Sequence, residues 1–259
     1  MDEQLNPDGT VGKALAVLEL ISDYNRPVRF SELLDRSRHP KATLYRLVQT
    51  LTNQNMLEYN KEHGTYAPGM RLVKLAHSAW RQSSLAPIAR NTMDKLAATL
   101  GETLHLAQMD EGQVLYIDKR NAARPIDMFS AAGKTGPGYC TGVGKVILAF
   151  QSPEIQNSAL EKQSYYPYTQ NTITSRETLK QELQRIAQAG FAFDREEHEH
   201  GIICIAVPII TKKQRVLGAL SLTSSTQRHS LSSLEKNKAS LLKAADEIST
   251  AAASWQFPT

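Results

Sequence analysis

The stretch from Phe30 to Leu51 constrains this chain most, because it reads as two short amphipathic helices joined by a tight turn. In the second, Leu44, Leu47, Val48 and Leu51 fall at i, i+3, i+4 and i+7, one apolar stripe of helical period. That stripe is all such a helix needs for burial. Lys41, Thr43, Tyr45, Arg46 and Gln49 are left facing outward. Arg and Gln side chains form bidentate contacts to guanine and adenine edges, and Lys and Thr anchor phosphates. Each residue alone is what any solvated helix carries. As a set, on a helix sized for a major groove, they are a candidate reading face for duplex DNA. Between Arg26 and Arg46 six cationic side chains stand against two acidic ones, so the positive excess is local. Ser31, near the start of the first helix of the pair, suits both a cap and a phosphate donor.

The surroundings extend this into a small domain. Val11 to Asn25 carries Leu15, Leu18 and Ile21 at helical spacing and closes at Pro27, which adds a preceding helix. After the pair, 56–60 and 65–67 flank the polar turn Lys61-Glu62-His63-Gly64, a β-hairpin pattern that reads as a wing. Lys61 is its candidate phosphate contact; His63 is there because turns are exposed. Pro68-Gly69 ends the hairpin. Met70–Gln82 and Leu85–Leu100 then read as helices, with Ser83-Ser84 as a hinge. The implied boundaries are a head over 1–69, a linker helix over 70–84 and a body over 85–259.

In the body the period changes. Leu104–Met109, Val114–Asp118, Ile126–Ser130, Phe191–Asp194, Ile202–Ile210 and Val216–Thr223 read as strands. Gly142–Phe150 and Pro153–Leu160 read as helices. Thr174-Ser175-Arg176-Glu177 reads as a capping box opening a helix that stops at Gly190, and a last helix spans Leu231–Ala252.

Composition limits the alternatives. At 259 residues and 41% hydrophobic the chain can bury cores for two domains, and a net charge of +4 is too small for a polycation that coats nucleic acid or membrane. Two distant cysteines, Cys140 and Cys204, make neither a disulfide framework nor a zinc site, so a reducing cytoplasm is expected. The first residues are polar and acidic, unlike a secretory leader, and no apolar run reaches membrane-spanning length.

The body also carries Gly101-Glu102-Thr103-Leu104-His105-Leu106-Ala107, Gly142-Val143-Gly144-Lys145, and Asp194-x-Glu196-Glu197-His198-x-x-Gly201-x-x-Cys204-Ile205-Ala206. In this order, downstream of a wing, they resemble the IclR family of bacterial transcriptional regulators over nearly the whole chain. The resemblance implies an α+β protein: an N-terminal winged helix-turn-helix domain, a linker helix and a C-terminal GAF-like effector-binding domain, assembled as homodimers or dimers of dimers on a palindromic operator. Matched residue by residue, it puts the effector between Met128, the Thr141-Gly142-Val143 turn into a helix, and late strands carrying Cys204, Ser221 and Thr223, with Asp194 as a further polar member. Strand alternation agrees, since Ser221 and Thr223 project on one side and Cys204 can join from a neighbour. Met128, Val143 and Ile202 supply the apolar wall. Gly142 and Gly144 open a helix, whose first-turn amides and dipole suit a carboxylate. A small keto, hydroxy or sugar acid is therefore the expected effector, an aromatic acid the second choice.

No cofactor or catalytic set is expected. The cluster Asp194, Glu196, Glu197, His198, Glu199, His200 reads as a solvated loop rather than a metal site, because no distant ligand pair completes it. Gly133-Lys134-Thr135 fails as a phosphate loop, since Met128 stands where its first glycine is required. A small-molecule enzyme with an accessory helical head remains the alternative reading.

Overall fold

The computed structural model describes residues 9–83 and 85–254, and these divide into two compact units, one ending at Gln82 and the other starting at Ser83. The amino-terminal residues read above for a leader, and Ser84 of the expected hinge, lie outside the described residues.

The first unit contains α1 (Gly9–Ser22), β1 (Val28–Arg29), α2 (Phe30–Arg36), α3 (Lys41–Asn53), β2 (Leu57–Asn60), β3 (Thr65–Pro68) and α4 (Met70–Ser83). Leu44, Leu47, Val48 and Leu51 of α3 are buried against Val17, Leu18 and Ile21 of α1 and Leu33 of α2. Pro40 caps α3 without a side-chain bond. Burial of four such side chains is worth about 6–12 kcal/mol, against about 1 kcal/mol for a cap; packing, not capping, holds the helix. Nor is Ser31 the cap of α2. That helix starts one residue earlier, at Phe30, and its N-cap is Arg29, whose N–H donates to the Glu32 carboxylate at 2.9 Å. The wing hairpin forms as expected, but β3 also takes β1 as a partner, through Val28 opposite Tyr66, so the sheet order is β1-β3-β2. In the turn, Asn60 Oδ1 accepts from the amides of Glu62 and His63 at 2.9 and 3.0 Å. α4 runs through Ser83, into the expected hinge.

The second unit comprises α5 (Ala86–Leu100), β4 (Thr103–Asp110), β5 (Gln113–Arg120), β6 (Thr135–Pro137), α6 (Gly142–Ala149), α7 (Pro153–Glu161), α8 (Arg176–Ala189), β7 (Ala192–Arg195), β8 (Ile202–Ile210), β9 (Val216–Ser225), α9 (Leu231–Glu235) and α10 (Lys238–Ala251). One antiparallel sheet, in the order β6-β5-β4-β9-β8-β7, gathers strands from both ends of the unit. α6 packs on it with α8 behind, around Val143, Val146, Ile147, Leu183 and Ile186. The protein is thus α+β, a winged helical unit followed by a mixed α/β unit. Among the described residues no helix is long and apolar enough to cross a membrane.

Three expected elements differ. The segment 126–130 forms no strand, because its partners are side chains: Phe129 N–H donates to Glu199, and the Ser130 carbonyl accepts from Lys119 Nζ at 2.8 Å. The cap of α8 is Ser175, accepting from Thr178 N at 3.1 Å, not a Thr174–Glu177 box. The last helix is broken at Lys236-Asn237 into α9 and α10, followed by a 3-10 turn over Ala252–Ser254.

Candidate nucleic-acid interface and effector cavity

On the outward side of α3, Lys41, Tyr45 and Arg46 are exposed and Thr43 and Gln49 half-buried. Tyr45, 54% exposed, also meets the Phe30 ring edge-on at 5.8 Å between centroids, which fixes its ring beside α2. Gln49 of α3 lies beside the Tyr66 hydroxyl of the wing sheet, whose pKa is raised chiefly by burial. Ser31 and Lys61 are exposed, Lys61 at the hairpin tip and Ser31 in the first turn of α2. The face is therefore polar, cationic and supported from beneath by the α1–α3 core.

In the second unit, strand register explains how distant residues meet. Asp194 of β7 lies opposite Cys204 of β8, which lies opposite Thr223 of β9. On β4, His105 stands opposite Ser221. α6 starts directly over this polar row: a Cβ on Gly142 would stand 2.5 Å from Cys204 Sγ, so only glycine admits the helix there. Thr141 caps α6, its Oγ1 accepting from Gly144 N at 3.2 Å and donating to the Pro137 carbonyl at 2.8 Å. The Gly144 amide, expected to be open to a ligand, is thus taken by the cap. Around this point lies a cavity of about 30 Å³, and Met128, Thr141, Gly142, Val143, Asp194, Ile202, Cys204, Ser221 and Thr223 all line it.

Sequence reasoning missed five further lining residues: His105, Tyr116, Ser130, His198 and Glu199. His105 is the central one. Its Nε2 lies 2.7 Å from Ser130 Oγ, and its Nδ1 lies 3.2 Å from Thr223 Oγ1 and 3.4 Å from Ser221 Oγ. Burial, aided by the Lys119 charge, pushes its pKa down to about 3, so the ring is neutral and orders three hydroxyls. The motif Gly101–Ala107 held the signal, a histidine in an apolar strand.

The acidic cluster is not the solvated loop expected. Asp194 and Glu197 are buried, His198 and Glu199 half-buried. The reason is Lys145, wholly buried one turn into α6, which forms an ion pair with Glu197. Glu197 N–H in turn donates to Asp194 Oδ1 at 2.8 Å. Two acidic groups are thus buried together, and Lys145 is paired with Glu197 alone of the two. Burial, and then the Glu197 charge, push the Asp194 pKa up to about 7, while Lys145 and the Glu197 amide oppose the rise. Burial likewise raises the Cys204 thiol and the Tyr116 hydroxyl, so both are neutral.

A model of the IclR helix-turn-helix domain matches residues 10–61, and one described as bacterial transcriptional regulator IclR C-terminal matches 77–250. The chain belongs to the IclR family. As an IclR-family protein it is a transcriptional regulator with a helix-turn-helix DNA-binding domain and a C-terminal effector-binding domain. It is 31% identical over 258 residues to the HTH-type transcriptional regulator KdgR of Escherichia coli K12, spanning 100% of this chain and 98% of the relative. Against the crystal structure of the Thermotoga maritima IclR the TM-score is 0.74, at 29% identity, over 93% of this chain and 97% of that one. An IclR homologue from Microbacterium hydrocarbonoxydans, crystallised with 4-hydroxybenzoate, shares the fold with a TM-score of 0.79, at 24% identity, over 94% of this chain and 98% of that one.

Proposed function

We propose that this IclR-family regulator sets a symmetric pair of winged heads on a palindromic operator and is switched by a small organic acid bound in the cavity of its body. It acts as a homodimer or dimer of dimers in the cytoplasm, and by binding rather than turnover. The head corresponds to 1–69, the linker helix to 70–84 and the effector-binding body to 85–259. Lys41, Thr43, Tyr45, Arg46 and Gln49 meet the major groove, while Ser31 and Lys61 meet phosphates on either side.

The observation that carries the effector assignment is the gathering of Asp194, Cys204, Ser221 and Thr223 with the start of α6 around one cavity. The carboxylate sits at Gly142 and Val143, against the positive end of α6. Hydroxyls and the neutral His105 ring take the oxo or hydroxyl groups, and Met128, Val143 and Ile202 enclose the carbon chain. That a protein of this fold holds 4-hydroxybenzoate, a carboxylic acid, supports the same class here. Linkage sets the size of the switch by the effector's difference in affinity between DNA-competent and incompetent arrangements.

The test is a gel-shift titration of the full-length protein on DNA upstream of its own and neighbouring genes, with and without a panel of organic acids. Salt-sensitive shifts that one acid strengthens or weakens are the expected result. Binding that no acid alters refutes the switch, and turnover of an acid by the isolated protein favours the enzyme reading.

A further inference from the structure

The cavity just described has room for about one or two water molecules, less than the smallest keto acid. One wall must therefore yield. The sheet and α6 are held by ladders and core packing; the remaining wall, built from 126–130 and 196–200, is irregular. Behind that wall lies a second hollow of about 490 Å³, lined by Phe129, Lys162, Gln163, Tyr168, His198 and Glu199 among others. His198 and Glu199 line both hollows, so they are the partition. Phe129 N–H donates to both Glu199 carboxylate oxygens at 3.0 Å, which latches it. The His198 ring packs edge-on against Phe129 at 5.2 Å and Tyr168 at 4.7 Å between centroids. An imidazole thus occupies an aromatic slot at the mouth of the inner cavity.

We propose that the two hollows form one effector site, and that the effector is a sugar acid whose pyranose ring takes the place of His198 between Phe129 and Tyr168. This rests on the reading above that the inner cavity holds a carboxylate. Ring C–H groups stack on aromatic faces, as other rings do. The outer rim supplies what ring hydroxyls need and an aromatic ligand does not: the Lys162 ammonium, the Thr135 and Ser164 hydroxyls, and the Gln163 amide. Gln163 Nε2 already donates to the Gly112 and Ala159 carbonyls at 2.8 Å each, which leaves its Oε1 to accept from a hydroxyl. Entry breaks the Phe129–Glu199 latch and swings 198–199 outward.

Isothermal titration of the full-length protein with pyruvate, D-galacturonate and 4-hydroxybenzoate tests this, using wild type, Tyr168→Ala, Tyr168→Phe and Ser221→Ala. Tyr168 is 43% exposed, so its truncation spares the fold. Expected are galacturonate binding that Tyr168→Ala weakens about tenfold more than it weakens pyruvate, rescue by Tyr168→Phe, and loss of both ligands in Ser221→Ala. Equal weakening of both ligands by Tyr168→Ala, no effect on galacturonate, or pyruvate binding without galacturonate overturns the outer chamber. Binding of 4-hydroxybenzoate but not galacturonate overturns the sugar assignment. Failure of all three to bind overturns the carboxylate reading itself, and the proposal with it.

Discussion

Replacing Asp194 by Asn removes a buried ionisation while keeping its shape and its acceptor, since the amide oxygen can still receive the Glu197 N–H at Oδ1. The Asp194 carboxyl has its pKa raised from 3.8 to about 7 by burial, then by Glu197, with Lys145, the Glu197 amide and His198 opposing. Cys204, Cys140 and Tyr116 also face it and remain neutral, because burial raises all three. A carboxyl raised on folding is the reverse of the usual acid. Below about pH 3.8 both states hold the proton and Asp194 costs nothing. Above that, the unfolded chain releases a proton that the folded chain keeps, so stability falls with rising pH by about 1.4 kcal/mol per unit until about pH 7, then levels. Between about pH 5.5 and about pH 7 the wild type should lose about 2 kcal/mol that Asp194→Asn does not lose. In a unit of this size that is a difference of about 4–8 °C in melting temperature. Thermal unfolding of both proteins at several pH values in one buffer series measures it. A wild-type-minus-mutant difference that is flat across this window refutes the buried, proton-holding Asp194.

Three other outcomes follow from the geometry. Arg46→Ala should weaken binding to a specific operator about tenfold to a hundredfold, whereas Lys61→Ala should weaken specific and random duplexes alike and lower the salt slope by about one; anisotropy titrations at several salt concentrations separate the two. Gly144→Ala brings a Cβ onto the Gly138 carbonyl and the Thr141 cap, so the variant should melt several degrees lower or fail to fold, seen by calorimetry. His105→Leu strips the hydroxyls of Ser130 and Thr223 of their shared partner, and leaving buried polar groups unpaired should cost about 1–3 kcal/mol each in a denaturant titration.

Much of this was legible in one dimension because it is local. The α3 stripe, the wing turn, the Gly190 stop of α8, where φ is +78°, and the β8–β9 hairpin each depend on neighbours in sequence. What escaped was non-local. β1 is two residues long and exists only because β3 pairs with it, Val28 opposite Tyr66 and Arg29 opposite Thr65, from far along the chain. The segment 126–130 has strand-like alternation, but Lys119, Glu199 and His105 claim its polar groups and hold it as a loop. His105 looked like one more residue of an apolar strand until β9 set Ser221 and Thr223 beside it. The burial of Asp194 and Glu197 could not be read without Lys145, some 50 positions earlier, reaching them from α6. The nine candidate effector residues do meet around one cavity, because the register of β7, β8 and β9 and the start of α6 bring those distant segments together.

The proposed function requires α3 to read duplex sequence. Selection of random duplex DNA by the full-length protein, with and without Arg46→Ala, tests that most directly. A two-fold-symmetric sequence enriched by the wild type and lost with Arg46→Ala is the predicted result; pools that stay random after repeated rounds, or the same motif enriched by the variant, contradict it.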